Sequence, residues 1–213
     1  MKNLAIYGAG GFGKEVACLI RKINEVEPTW NLIGFYDRMY EKGYDNGYGR
    51  VLGSISDINT IDRELSLVIA LGDTAVIKDI VESVHNPYIS YPNIIHPNFY
   101  MSDNERFRIG KGNIIQRNCN ISCDVELGDF NVLNGAVTFG HDVKVGNYNS
   151  FMPAVRISGC VSIGDLNFFG ISSIVLQQVT IGTRVRLGAG SILMSKPKDD
   201  NLYMGNPAKR FKL

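Results

Sequence analysis

The sequence predicts an α/β chain in two parts, a Rossmann-like half domain followed by a left-handed parallel β-helix. Three observations carry this. First, every sixth residue from Ile109 to Leu193 is large and apolar without a break, through Ile115, Ile121, Leu127, Leu133, Phe139, Val145 and onward. Second, two side columns repeat at every third of these steps: Val125, Val143, Val161 and Val179, and Asn113, Asn131, Asn149 and Asn167. Third, a short apolar stretch, Leu4 to Tyr7, runs through the glycine turn Gly8-Ala9-Gly10-Gly11-Phe12-Gly13 into an amphipathic segment.

A six-residue apolar period suits one short flat strand plus a turn, and three such units make one triangular coil. The apolar residue points into the prism. Stacked coils bury a continuous core that one coil could not bury alone. The position after it is often glycine, as at Gly110, Gly128, Gly140, Gly146, Gly164, Gly170, Gly182 and Gly188. The valine column should lie inside. The asparagines should stack as a ladder, each amide bonding the next coil, as in other cross-β stacks. Phe151 and Phe169, one coil apart by this count, should stack in adjacent coils. Chance apolar alternation in an ordinary β domain would not sustain so long a run with two side columns in register.

The 213 residues suit two small domains. We place the boundary at 95/96, with a sugar-nucleotide-binding domain over 1–95 and the β-helix with a C-terminal tail over 96–213. A formal net charge of +1 gives no field to draw in nucleic acid or an anionic membrane. Cys18, Cys119, Cys123 and Cys160 form no C-x-x-C pair, and free thiols suit the cytosol. Cys119 and Cys160 fall on small or turn positions of the repeat and read as packing. The apolar start is too short for a secretory h-region and no run reaches membrane-spanning length, so a cytoplasmic protein is expected.

Within the first domain, Val16, Leu19, Ile20 and Ile23 form one face of a helix. Gly8, Gly10 and Gly13 fit G-x-G-x-x-G, a turn that lets backbone N–H groups and a helix start approach a phosphate. A second strand, Leu32 to Tyr36, ends in Asp37, where a doubly wound sheet places a ribose- or base-binding acid. A third strand covers Arg50 to Gly53, and a helix follows from about Asp57. A fourth strand, Ser66 to Leu71, leads through Gly72-Asp73 to a helix over about Thr74 to His85. Asn86-Pro87 and the segment from Tyr91 to Pro97 read as a linker, with His96 capping the first coil. This is half of a dinucleotide fold, which points to a mononucleotide site ahead of an NAD site. The plainer alternative is that the glycines only make a tight turn and pack helix on strand.

Phe139-Gly140-His141-Asp142-Val143 carries the histidine of the repeats. Asp142 can hold the imidazole tautomer and raise its basicity. Gly159 lies three repeat units further on, one coil away, where its N–H can bind a developing oxyanion. The bland reading of His141 is a solvated corner residue.

Gly8-Ala9-Gly10-Gly11, Asp37, Ile95-His96-Pro97, Gly140-His141-Asp142-Val143-Lys144-Val145-Gly146, Pro153-Ala154, Ser158-Gly159 and Gly205-Asn206-Pro207-Ala208-Lys209 together resemble the bacterial sugar acyltransferases of the PglD/NeuD type. These include nucleotide-aminosugar N-acetyltransferases of glycan biosynthesis and sialic acid O-acetyltransferase-like proteins. The resemblance spans nearly the whole chain. It implies a homotrimer, acetyl-CoA as donor, no metal, and an active site between neighbouring β-helices. It implies His141 as general base with Asp142 beside it, and acetyl-CoA against Ser150, Gly159, Ile171, Gln177, Thr180 and Pro207. The sugar nucleotide would lie against Gly8, Gly10, Gly11, Phe12, Gly13, Asp37, Arg38 and Gly72. Phe12 and Ser150 stand where relatives often carry histidines.

The expected reaction is acetyl transfer from acetyl-CoA to an amine on a nucleotide-linked aminosugar. A hydroxyl acceptor, as in sialic-acid-type O-acetylation, is the first alternative, and a non-catalytic scaffold the second. A carbonic-anhydrase-like zinc site needs three histidines, and the repeats hold one. The base of the nucleotide, the sugar and the acetylated position stay open.

Overall fold

The computed structural model describes residues 1–211. The chain divides into two compact units, Met1–Pro97 and Asn98–Leu213, two residues beyond the expected boundary.

In the first unit, β1 (Lys2–Tyr7), β2 (Trp30–Tyr36), β3 (Val51–Gly53), β4 (Leu65–Ile69) and β5 (Ile89–Ser90) form a sheet of order β3-β2-β1-β4-β5. All its neighbours run parallel. The helices are α1 (Gly11–Val26), α2 (Ile55–Asn59) and α3 (Thr74–Ser83). Strand β1 is central, and Leu4, Ala5 and Ile6 are fully buried. α1 buries the predicted face, Val16, Leu19 and Ile20. The expected elements are all present, with ends shifted by a few residues. β5 is the exception. It lies between the two stretches read as linker, and two residues pairing Leu65 with Ile89 and Ser66 with Ser90 are too few to leave a period in the sequence.

The second unit is the left-handed β-helix. Two-residue strands stack in parallel on three faces in the register that the repeat predicts: Asn120 on Thr138 on Arg156, Glu126 on Lys144 on Ser162, Val132 on Ser150 on Phe168. The coil begins before the regular repeat. Tyr100–Met101 pairs with Asn120–Ile121, a longer step than in the later coils, and the turn around Asp103–Arg106 absorbs the extra length. At the far end Leu202–Met204 pairs with Arg186–Leu187, and Lys209–Phe211 folds back antiparallel.

The inner columns are as the spacing requires. Val125, Val143 and Val161 are fully buried. Phe151 and Phe169 stack with centroids 4.6 Å apart, and Phe139 meets Phe151 edge-on at 5.0 Å. The asparagine ladder closes completely. Asn131 Oδ1 accepts from the Asn149 backbone at 2.9 Å, Asn149 Oδ1 from Asn167 at 2.9 Å, and Asn167 Oδ1 from Val185 at 2.8 Å. Each amide also donates to a carbonyl of the coil above, Gly146, Gly164 or Gly182. Each buried amide thereby meets the demand that its polar atoms be bonded.

The corners hold a feature that residue type does not announce. Every sixth residue from Asn118 to Arg184 has φ between +54° and +65°, among them Phe130, Tyr148 and Leu166. These are large residues in the left-handed region, which disfavours residues with a Cβ. The coil holds them there because both flanking strands are locked by ladder bonds and buried apolar side chains.

Candidate active site

His141 and Asp142 form one such corner, after the strand Thr138–Phe139, with Asp142 at φ +57°. The His141 Nδ1–H donates to Asp142 Oδ2 at 2.7 Å. In the neutral imidazole that bond puts the proton on Nδ1 and leaves Nε2 as the acceptor nitrogen. The imidazole is about half exposed, at 50%.

The corner column runs Cys123, His141, Gly159, Gln177. Backbone bonds hold it, from Asp142 N–H to Cys123 O at 3.1 Å, Cys160 N–H to His141 O at 2.8 Å, and Gln178 N–H to Gly159 O at 3.1 Å. The imidazole lies directly over Gly159. A Cβ there would sit 2.5 Å from His141 Nε2 and 2.7 Å from Cε1. Gly140 is tight for a different reason: its Cβ would meet the backbone of the next coil, with the Gly159 N at 2.6 Å. The missing side chain of Gly159 lets the ring settle against that coil. The expected neighbourhood of His141, Asp142 and Gly159 is therefore assembled.

Cys160 joins them, with Sγ 4.0 Å from His141 Nδ1. The three donor atoms of His141, Asp142 and Cys160 lie within 4.8 Å of one another. Nδ1 and Oδ2 face each other at hydrogen-bond distance, whereas two ligands on one tetrahedral zinc stand about 3.3 Å apart. The arrangement is a hydrogen-bonded imidazole–carboxylate pair. Cys119 is a different thiol. It is fully buried, donates to Asn134 O at 3.1 Å, and burial pushes its pKa up to about 11, so it packs and does not react.

The other residues expected to meet the donor are more dispersed. Gln177 is exposed one coil beyond Gly159; Ile171 (51% exposed), Thr180 and Pro207 are also on the surface. Ser150 is fully buried on another face, stacked between Val132 and Phe168. Within one chain it does not join His141.

The second cluster lies in the first unit, at the carboxyl ends of β1, β2 and β4. Gly8, Gly10, Gly11, Phe12, Asp37, Arg38 and Gly72 line one cavity of about 640 Å³, a size typical of ligand sites. Of the residues expected at this site Gly13 is absent from the lining. It is buried, and a Cβ there would lie inside contact distance of Gly8 O, so it serves close packing of α1 on β1. Gly8, at φ +109°, is likewise structural, with the Ala70 carbonyl 2.6 Å from a would-be Cβ. Gly10 and Gly11 are different: nothing lies within 4 Å of a Cβ at either. Their lack of side chains opens space that the protein itself does not fill.

The two helix starts differ in the same way. Asp73 caps α3, accepting from Ala75 and Val76. The N-cap of α1 is Gly10, with no side-chain cap and no acid in the first turn. Its first N–H groups therefore favour an anion. Asp37 is 9% exposed, and its carboxylate accepts from Ala9 N at 2.7 Å and Met39 N at 2.7 Å. It ties the two ligand-side turns together, and each oxygen keeps one further acceptor site. Sequence reasoning missed Tyr7, Met39 and Tyr40, which also line the cavity. Tyr7 reads as one more apolar strand residue.

The chain carries a nucleotide-type half fold and a left-handed β-helix, with a histidine–aspartate pair on a coil corner of the latter. Residues 3–84 match the PglD N-terminal domain family. The full chain is similar to the acetyltransferase domain of PglB from Neisseria gonorrhoeae FA1090, solved with acetyl coenzyme A. The identity is 27% over 99% of each chain, with a TM-score of 0.88. It is also similar to PerB from Caulobacter crescentus, solved with CoA and GDP-perosamine, at 25% identity over 100% of this chain and 98% of that one (TM-score 0.89). WeeI from Acinetobacter baumannii AYE shares the fold at 22% identity, over 99% of this chain and 100% of that one (TM-score 0.88). No curated protein matches the chain. Among the described residues no helix is long and apolar enough to cross a membrane.

Proposed function

We propose that the protein transfers an acetyl group from acetyl-CoA to the free amine, at C4, of a nucleotide-linked amino-dideoxysugar, with His141 as general base. The observation that carries this reading is the His141–Asp142 pair seated on Gly159. Nδ1 is held by a carboxylate at 2.7 Å, and the basic nitrogen is left beside a backbone N–H with no hydrogen bond among the described residues. The likenesses to PglB and PerB support the donor and the class of acceptor.

The acceptor amine attacks the thioester carbonyl, and a C–N bond forms. His141 Nε2 takes the amine proton, and Asp142 stabilises the resulting imidazolium. The Gly159 N–H faces the developing oxyanion. As the C–S bond breaks, His141 returns the proton to the departing CoA thiolate. A positioned base contributes about 10²–10⁴ in rate, and holding the two substrates together supplies much of the rest.

The cavity of the first unit receives the sugar nucleotide, with its phosphates toward the uncapped start of α1. Phe12 on its wall suits a C6 methyl. A half-exposed base needs a wall to exclude water, and a neighbouring β-helix in a homotrimer supplies it, with Ile171, Gln177, Thr180 and Pro207 offered to acetyl-CoA. The protein works in the cytoplasm, where its donor is made. The test is thiol release from acetyl-CoA with UDP-, GDP- and dTDP-linked 4-amino sugars, with the product checked for the mass gain of one acetyl group. Turnover on one of them is expected. Turnover only on a sugar hydroxyl would move the protein to O-acetylation.

A further inference from the structure

The floor of the first unit's cavity holds a group with no bonding partner. Tyr7, the last residue of β1, is 2% exposed and lines the cavity beside Asp37 and Arg38. Its backbone is fully used: the Ala70 N–H donates to Tyr7 O at 2.8 Å, and Tyr7 pairs with Tyr36 and Ile69 in the sheet. Its hydroxyl has no hydrogen-bond partner among the described residues. A buried hydroxyl left in that condition is penalised, and such groups in native proteins call for an explanation. The neighbouring polar groups do not supply one. Asp37, the nearest acid in the cavity wall, points its oxygens at the Ala9 and Met39 N–H groups. Asn46, buried behind the turn, donates to Ala9 O and accepts from Tyr48 N.

We infer that the Tyr7 hydroxyl is a ligand-recognising group, bonding an uncharged oxygen or nitrogen of the nucleoside diphosphate moiety that enters this cavity. The inference rests on the reading of the cavity as the sugar-nucleotide site. Three features support it. Tyr7 stands at the carboxyl end of the central strand, where open α/β sheets bind ligands. Burial raises the Tyr7 pKa, so the group is a neutral donor and acceptor across the working pH range and suits a base edge or ribose hydroxyl over a phosphate. The phosphates have their own place at Gly10 and Gly11, whose open space and uncapped N–H groups face the same cavity.

A site built around a polar atom that only the ligand satisfies discriminates strongly against ligands that leave it unpaired. Tyr7→Phe removes the hydroxyl and keeps the ring. Calorimetric titration of the full chain with UDP, GDP and dTDP, and separately with acetyl-CoA, tests the inference. The wild type should bind at least one of the three diphosphates. Tyr7→Phe should weaken that binding by about tenfold or more, with acetyl-CoA affinity unchanged and the melting temperature of the free protein equal to or above the wild type's. Equal diphosphate affinity in the two proteins would overturn the role of Tyr7 and leave the site reading standing. A lowered melting temperature of the free variant would show that the hydroxyl is bonded within the protein, which also overturns it. A wild type that binds none of the three diphosphates would overturn the site reading and this inference together.

Discussion

Gly159→Ala tests the site through a single methyl group. The backbone of Gly159 is not in the left-handed region, so alanine can adopt it without strain. The new Cβ would lie 2.5 Å from His141 Nε2, 2.7 Å from Cε1 and 3.0 Å from Cδ2. Ordinary contact begins at about 3.5 Å, so the ring must retreat by about 1 Å. The imidazole is half exposed and can swing outward, so the fold should survive with little change in melting temperature. Catalysis should not survive as well. A misplacement of about 1 Å can cost about 10²-fold, and the displaced group is the base. We expect kcat to fall by about 10²-fold or more, with a small change in the KM for the acceptor. Gly135→Ala is the control, because a Cβ there meets nothing closer than 3.7 Å, and it should leave turnover intact. Steady-state thiol release with both substrates varied, beside thermal melts of both variants, measures all of this. A Gly159→Ala enzyme within about threefold of wild-type kcat would refute the placement of the working imidazole over this glycine.

Other substitutions probe separate parts of the argument. His141→Ala should lose at least about 10²-fold in kcat with the fold intact, and Asp142→Asn should lose less, since it orients the base and asparagine tolerates φ +57°; paired kinetics and melts check both. Asn149→Ala should destabilise by about 2–6 kcal/mol, because it orphans the Asn167 N–H and the Gly164 carbonyl at about 1–3 kcal/mol per buried group; chemical denaturation reads this. Phe169→Ala should cost about 3–5 kcal/mol through the cavity left beside Phe151, and an unchanged melt would contradict the coil register. Gly10→Ala should fold normally, since a Cβ there meets nothing within 4 Å, yet should weaken nucleoside diphosphate binding in the titrations above.

The coil register was legible because it is a repeat. A period of six in apolar residues, and of three times six in valine and asparagine, places Gly159 above His141 by counting alone. The same counting could not find the first coil. Its strand, Tyr100–Met101, stands out of step with the period that relates the later strands, so its inward Met101, paired with Ile121, falls outside the count. β5 escaped because a two-residue strand has no period. Tyr7 escaped because it reads as the last apolar residue of a buried strand, and only the fold shows that it also lines the cavity.

By itself, then, the sequence determined the two-part architecture, the inward columns, the asparagine ladder and the pairing of His141 with Asp142 beside Gly159. Each of these follows from local chemistry repeated at a set interval. Tertiary structure decided the rest. It separated Gly8 and Gly13, which are glycines because the Ala70 and Gly8 carbonyls leave no room for a Cβ, from Gly10 and Gly11, which face open space. It turned Asp37 toward two backbone N–H groups and buried Ser150 within a face of the coil. It also held Phe130, Tyr148 and Leu166 in left-handed corners that their residue types disfavour. The physical reason is common to all of these. Such outcomes depend on what distant segments bring into contact, and stacked strands locked by many cooperative bonds override the preference of any one residue.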